Sequence, residues 1–286
     1  MSTPKEEKVP AAPPVDPLEI AAYRYYYKPM AIFFNAFHLR AFVSAAIEWQ
    51  GNVLDIGCSD GACGVMLMEA VGAPKQLTGI DLSANAIAAA SPAAKAVYNE
   101  MICANAVELP FDDESFGSLV SNASMLSIDP GLEQALKETY RVLKPGGAFY
   151  ATVCTDQYEQ HYWITKLLHA VGARKLARRY MDKMNRRMQQ AHLYTPERWQ
   201  ELFRGAGFEV QETFGFLPLR LTPLWSFLAW TPMRIHGVLK LIPWPGLHRF
   251  VSRFYQARFA PLYRETPPKC PPEECGYIFL KLTKPS

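Results

Sequence analysis

Between residues 51 and 154 the chain alternates short apolar runs with stretches of helical periodicity. The runs are NVLDIG, QLTGIDL, MICANA, GSLVSNA and GAFYATV, and the helical stretches between them are 62–71, 83–97 and 131–143. Runs this short, bounded by turn residues, read as strands, and strands alternating with helices predict a parallel sheet covered on both faces. Pro145-Gly146-Gly147 stops the helix ending at Leu143 and launches the strand 148–154.

Beyond Cys154 the alternation is lost. Residues 160–190 look helical, TPERWQELFRGAG is a helix capped by Thr195 and closed at Gly205 or Gly207, and FEVQETFGF reads as a strand. GYIFLKLT, 276–283, is the last strand expected. Ahead of the sheet, Leu18 to Trp49 has Ala, Leu, Phe and Tyr at helical spacing interrupted at Pro29, which predicts two helices. The expected fold is therefore α/β: a Rossmann-like, seven-stranded, mostly parallel sheet with helices on both faces, an N-terminal helical lid and a C-terminal helical insertion.

The length of 286 residues suits one such domain with added segments. The opening MSTPKEEKVPAAPPVDPLEI is rich in Pro and charge and has no apolar core of the secretory kind, so a disordered tail and a cytoplasmic location are expected. The six cysteines have neither zinc-pair spacing nor the density of a disulfide scaffold, and no metal is expected.

The net charge of +3 hides a polarity along the chain. Residues 51–163 hold 14 acidic and 5 basic side chains, net −9, whereas 164–264 hold 5 acidic and 17 basic, net +12. That asymmetry points to an anionic partner for the C-terminal third. Leu167, Leu168 and Val171, then Ala177, Tyr180, Met181, Met184 and Met188, recur at helical spacing among arginines and lysines, and LHRFVSRFYQARF repeats the pattern. Trp225, Trp230 and Trp244 lie between the two stretches. Aromatic residues flanked by arginine suit a bilayer's headgroup boundary, so peripheral contact with an anionic membrane is expected, on the inner face. Covering the sheet is the plainer use of these helices. Nucleic acid is the less favoured partner, because no recognised nucleic-acid module appears. The stretch 214–247 is broken by five prolines and does not read as a span of ~20 apolar residues.

The chemistry-bearing segment is VLDIGCSDGACG, a buried strand with an acid near its end and a glycine-bearing turn before a helix. Gly57 and Gly61 allow a sharp turn and close approach of a ligand. A dinucleotide pattern needs Gly where this chain has Ser59, and Asp60 would repel phosphates. Asp55 is better suited to a cationic group. Asp81, closing QLTGIDL, can accept both hydroxyls of a ribose, and Leu82 can pack on an adenine.

Four segments in order, VLDIGCSDG, GIDLS, ANAVELPFDDESFGSLVSNASMLSID and EQALKETYRVLKPGGAFYATV, make the chain resemble class I S-adenosylmethionine-dependent methyltransferases. The branch is that of ubiquinone and menaquinone C-methyltransferases, and the likeness covers roughly residues 50–154. It implies S-adenosylmethionine as cofactor, with Asp55, Gly57, Cys58, Ser59 and Gly61 at the methionine end, Asp81 and Leu82 at the ribose and adenine, and Asn105 and Ala106 at the adenine amino group. The family usually has Asp where Asn105 stands. Ser121 and Asn122 are placed near the reacting methyl, with Met125 toward the acceptor. Leu126-Ser127 replaces the family's frequent Leu-His, so a candidate base is missing there.

The divisions expected are a tail, 1–17; the lid, 18–50; the S-adenosylmethionine-binding core, 51–154; an acceptor-binding and membrane-contacting helical region, 155–275; and the final strand and tail, 276–286. Methyl transfer needs alignment more than side-chain chemistry, but an oxygen or carbon nucleophile calls for a base. Loops after the strand ends offer His161, Tyr162 and Tyr194 as catalytic candidates. His192, with Tyr23, Tyr26 and Tyr27 of the lid, is expected to contact the acceptor, a small lipophilic molecule methylated on O or C. An RNA-modifying enzyme and a non-catalytic cofactor-binding protein are the alternatives.

Overall fold

The computed structural model describes residues 16–25, 28–230 and 245–286. The expectations for 1–15, Tyr26, Tyr27, Trp244 and the side chain of Trp230 lie outside the described residues.

Seven strands form one sheet: β1 (Asn52–Ile56), β2 (Gln76–Asp81), β3 (Glu100–Cys103), β4 (Phe116–Asn122), β5 (Leu143–Cys154), β6 (Glu209–Pro218) and β7 (Cys275–Thr283). Their order is β3-β2-β1-β4-β5-β7-β6, and β7 alone runs antiparallel to its neighbours. All seven expected strands are present and the sheet is mostly parallel. The central strand β4 is buried from Phe116 to Ser121, which is why it reads as an unbroken small and apolar run. Because β1 and β4 run side by side while the chain winds outward to β2 and β3 on one side and β5 on the other, their carboxyl ends open a crevice.

The helices along the chain are α1 (Pro17–Arg24), α2 (Pro29–Ser44), α3 (Ala62–Val71), α4 (Ala84–Ala88), α5 (Pro92–Val97), α6 (Leu132–Val142), α7 (Trp163–Ala170), α8 (Arg174–Met188), α9 (Pro196–Gly205), α10 (Thr222–Trp230) and α11 (Pro245–Glu265). Thr195 caps α9 as its sequence predicts, accepting from the Arg198 amide.

The N-terminal helices, expected as a lid, pack closely on the sheet through α2. In α2, PMAIFFNAFHLRAFVS, eleven of sixteen residues are buried, as befits a helix apolar all round. Phe42 meets Phe279 of β7 edge-on at 5.2 Å, and Phe33 meets Phe259 of α11 at 5.5 Å. Arg40 ties the layer to the C-terminal end of α11, donating to the carbonyls of Tyr263 and Thr266. Removing α2 would uncover the sheet, so α2 belongs to the core. Among the described residues no helix is long and apolar enough to cross a membrane.

Candidate active site

The turn after β1 is stitched to β2, the Gly57 and Cys58 amides both donating to the Ile80 carbonyl. Gly57, Ser59 and Gly61 all adopt positive φ, +79°, +52° and +77°. A Cβ on Gly57 would overlap the side chain of Ser124, and one on Gly61 would lie 2.6 Å from Ala94. The glycines therefore serve the packing of the turn as much as the approach of a ligand. Ser59 and Asp60 stand exposed at the crest.

Asp81 is half-buried at the end of β2, with Oδ2 accepting from the Ser59 amide at 2.9 Å and Oδ1 from the Ser83 amide at 2.8 Å. Two backbone donors fix the carboxylate and leave lone pairs on each oxygen for further donors. Beside it Leu82 is 71 % exposed, an apolar side chain left open at a strand end. Asn105 is exposed after β3, its Oδ1 accepting from the Val107 amide at 3.1 Å, and Ala106 is half-buried next to it. An amide oxygen already held by its own turn retains one lone pair, so Asn105 offers less than a carboxylate would.

Asp55, expected at the methionine end, is buried beneath the turn. It is only 6 % exposed, and its Oδ2 turns inward to accept from the Tyr98 phenol at 2.5 Å. Tyr98, just after α5, fills the space beneath the turn: Cβ atoms on Gly61 and Gly79 would lie 3.2 and 2.8 Å from its ring, and one on Gly64 would strike its hydroxyl. Burial lifts the Asp55 carboxyl to about 6, against the lowering effect of the Tyr98 bond, and the Asp81 charge adds to the rise. Cys58 is buried beside Gly79, its thiol pushed up by burial and by Asp55. Nothing in AAKAVYNE singles out Tyr98, because its role exists only once α5 and the turn are folded together.

At the end of β4 the structure uses Ser121 and Asn122 as fasteners. Ser124 donates to the Ile56 carbonyl of β1 and receives Ser121 at 2.5 Å, and Asn122 accepts from Thr152 of β5 at 2.9 Å. Met125 is wholly buried, so it is a core residue and the expected acceptor contact is corrected.

Among the base candidates only Tyr194 is built into a constellation. A β-bridge joins it to Thr155, just past β5, and its carbonyl accepts from the Asp156 amide. Its phenol lies 3.0 Å from His192 Nδ1, and His192 Nε2 lies 2.7 Å from the Ile128 carbonyl, in the loop after β4. Since that carbonyl only accepts, Nε2 carries the proton and Nδ1 accepts from Tyr194. The Ala191 and His192 amides also donate to the Leu126 carbonyl. His192 thus acts on Tyr194, and both are half-buried at the ligand end of the sheet.

His161 ends a 3₁₀ turn, half-buried, its pKa lowered by burial and by Lys166, with no hydrogen bond to this pair. Tyr162 is 1 % exposed, its hydroxyl facing the Met188 sulfur, so its expected catalytic role is corrected to packing. Tyr23 of α1 is exposed beside Glu19, Arg249 and Arg253, at a pocket of about 410 Å³ between α1, α3 and α11. It stands apart from Tyr194.

A wall unanticipated from the sequence lies behind these loops. His38 of α2 is fully buried among Phe34, Phe216 and Tyr277, its Nδ1 donating to the Phe34 carbonyl and its Nε2 without a partner. Burial lowers it to about 4, so it is neutral. Trp225 of α10 packs on Phe34 and Tyr162.

Residues 53–147 match the model of a methyltransferase domain. They form a class I S-adenosylmethionine-dependent methyltransferase domain. Demethylmenaquinone methyltransferases of Listeria welshimeri and Staphylococcus epidermidis are 38 % identical over 109 residues and 37 % over 102. Those stretches are 37 % and 35 % of this chain and 45 % and 42 % of the relatives, so the chain spans under half the length of the curated relatives it matches. A geranyl diphosphate methyltransferase in complex with the cofactor shares the fold with a TM-score of 0.54 at 15 % identity, over 89 % of this chain and 90 % of that one. The cyclase SpnF has a TM-score of 0.54 at 20 % identity, covering 88 % and 82 %.

The methyltransferase domain's residues suit S-adenosylmethionine. An oriented carboxylate at Asp81, a bare apolar face at Leu82 and a left-handed turn crest at Ser59 are arranged around one crevice. That cofactor supplies, when bound, a methyl group on a sulfonium leaving group.

Proposed function

We propose that the whole chain is an S-adenosylmethionine-dependent methyltransferase acting on a small lipophilic acceptor, at an oxygen or at a carbon activated by a neighbouring hydroxyl. The observation that carries the acceptor side is the Tyr194–His192–Ile128 chain at the ends of β4 and β5. The Tyr194 proton already points at His192 Nδ1. The Tyr194 oxygen can then take the proton of an acceptor hydroxyl while its own passes to His192, and the imidazolium formed keeps its Nε2–H on the Ile128 carbonyl. Tyr194 is the catalytic residue in this reading and His192 its positioning partner.

The aromatic wall of Phe34, Trp225 and Tyr277 supports a lipophilic acceptor, as does the resemblance to enzymes named for demethylmenaquinone. A lipophilic acceptor resides in a bilayer, so peripheral membrane contact belongs to the same reading.

Incubation with methyl-labelled cofactor and a total lipid extract tests the proposal. Label should enter an organic-soluble product with wild type and be lost with Tyr194→Phe. Cofactor binding by calorimetry with no labelled lipid would point to a protein that binds the cofactor without this catalysis; label in RNA would replace the acceptor class.

A further inference from the structure

Among the described residues, the helices after β5 leave an apolar surface uncovered. Trp163 and Leu167 of α7 and Val171, which caps its C-terminus, recur every four residues, and Leu167 and Val171 are 52 % and 70 % exposed. Phe227 of α10 lies edge-on to Trp163 at 5.6 Å, and Leu224, one turn before it, is open as well. The Trp163 amide donates to Ser226 Oγ, fixing α7 to α10, so the stripe on one helix continues onto the other. Leu176 extends it at the start of α8. Exposed apolar side chains grouped in this way mark a contact surface.

The rim of the patch is cationic. Residues 163–188 contain eight basic side chains and one acid, Asp182. Lys166, Arg174, Lys175, Arg178 and Arg179 are exposed, and among the described residues none has an ion-pair partner. Glu159, the nearest acid outside this segment, is already engaged by Asn185. A solvated covering face would not need so many like charges held together, since they repel one another.

We propose that the face formed by α7, α10 and the first turn of α8 docks on an anionic phospholipid bilayer. Val171, Leu167 and Phe227 enter the headgroup boundary, and the arginines and lysines around them lie against lipid phosphates. Charge complementarity selects this occupant over a second copy of the chain, whose corresponding face would carry the same positive charge. Immediately beneath the patch Trp225 packs on Tyr162 at 5.2 Å, so docking puts the aromatic wall next to the lipid phase. The proposal rests on the lipophilic-acceptor reading only for its purpose. Binding is measured without turnover.

Cosedimentation of the full chain with vesicles tests it, comparing phosphatidylcholine alone with phosphatidylcholine containing phosphatidylglycerol, at low and moderate salt. Wild type should bind the mixed vesicles and not the neutral ones. Leu167→Glu with Val171→Glu, and separately Arg174→Glu with Lys175→Glu, should each weaken binding on the order of tenfold or more. Arg198→Glu with Arg204→Glu on α9, an equal change of net charge elsewhere, should leave it within about twofold. Calorimetric cofactor binding by each variant shows that it is folded. An equal loss in the α9 variant would reduce the effect to net charge and overturn the proposal. So would self-association abolished by the Leu167→Glu, Val171→Glu pair in a chain that ignores vesicles, or salt-sensitive RNA binding without vesicle binding. Vesicle binding with no methylated lipid would leave this proposal standing and remove the acceptor reading instead.

Discussion

The phenol of Tyr98 donates a 2.5 Å hydrogen bond to Asp55 Oδ2 from a ring lodged under the glycine turn. Burial and the neighbouring Asp55 charge push the phenol well up, which keeps it the donor of this bond. The pair anchors the turn between β1 and α3.

Tyr98→Phe keeps the ring and deletes the bond, leaving a buried carboxylate short of a partner. A loss of about 1–3 kcal/mol in unfolding free energy is expected, together with weaker cofactor binding, measured by urea denaturation and calorimetry. Gly64→Ala should be at least as costly, because its methyl would occupy the place of the phenol oxygen. Unchanged stability in Tyr98→Phe would show that the bond contributes nothing net.

Asp55 also gives a pH dependence with a definite sign. Its folded pKa of about 6 lies above the ordinary 3.8. The folded state therefore favours the protonated form, and Asp55's contribution to stability is fully present below pH ~4 and lost as pH rises through about 6. The total is about 3 kcal/mol, from roughly two units at 1.36 kcal/mol each. Asp55→Asn keeps an acceptor for Tyr98 and removes the titration. The stability of the variant relative to wild type should therefore climb across that window, followed by denaturation at a series of pH values. A difference that stays constant with pH would disprove the assignment.

The parallel sheet was legible because strands buried on both faces read as continuous apolar runs, and Asp81 and Leu82 because a strand end is visible in one dimension. Tyr98, Ser124 and His38 were not, since each acts through a partner distant in sequence: Asp55, Ile56 and Tyr277. Tyr162 and Met125 show the opposite failure. Both stand at sequence positions near the ligand side, yet a side chain's direction is set by packing, and both turn into the core. Tyr194 and His192 were visible only as single candidates, and the Ile128 carbonyl that orients His192 lies 64 residues away along the chain.

That orientation gives the sharpest functional expectation. Tyr194→Phe removes the oxygen that takes the acceptor proton and should lower kcat roughly 100-fold or more with KM little changed. His192→Asn should lower kcat less, again with KM little changed, because it alters Tyr194 only through the hydrogen bond. His161→Ala should stay near wild type. Steady-state kinetics with the labelled acceptor decide among these, and a collapse in His161→Ala with normal turnover in Tyr194→Phe would transfer the base role to His161.

Ser59 separates backbone from side-chain contributions to the cofactor crevice. Its amide holds Asp81 Oδ2 at 2.9 Å while its side chain stands exposed at φ +52°. Ser59→Gly retains the amide and relieves about 1–2 kcal/mol of left-handed strain, offset in part by about 0.4–1 kcal/mol of unfolded-chain entropy. Stability should therefore change by about 1 kcal/mol or less, with cofactor affinity within a few-fold of wild type. Ser59→Pro removes the donor and, because its ring fixes φ at about −65° where the turn needs +52°, also breaks the turn, so it should lose both stability and cofactor binding. Calorimetric titration of both variants separates the cases: a tenfold loss in Ser59→Gly would mean that the hydroxyl, rather than the amide, meets the cofactor.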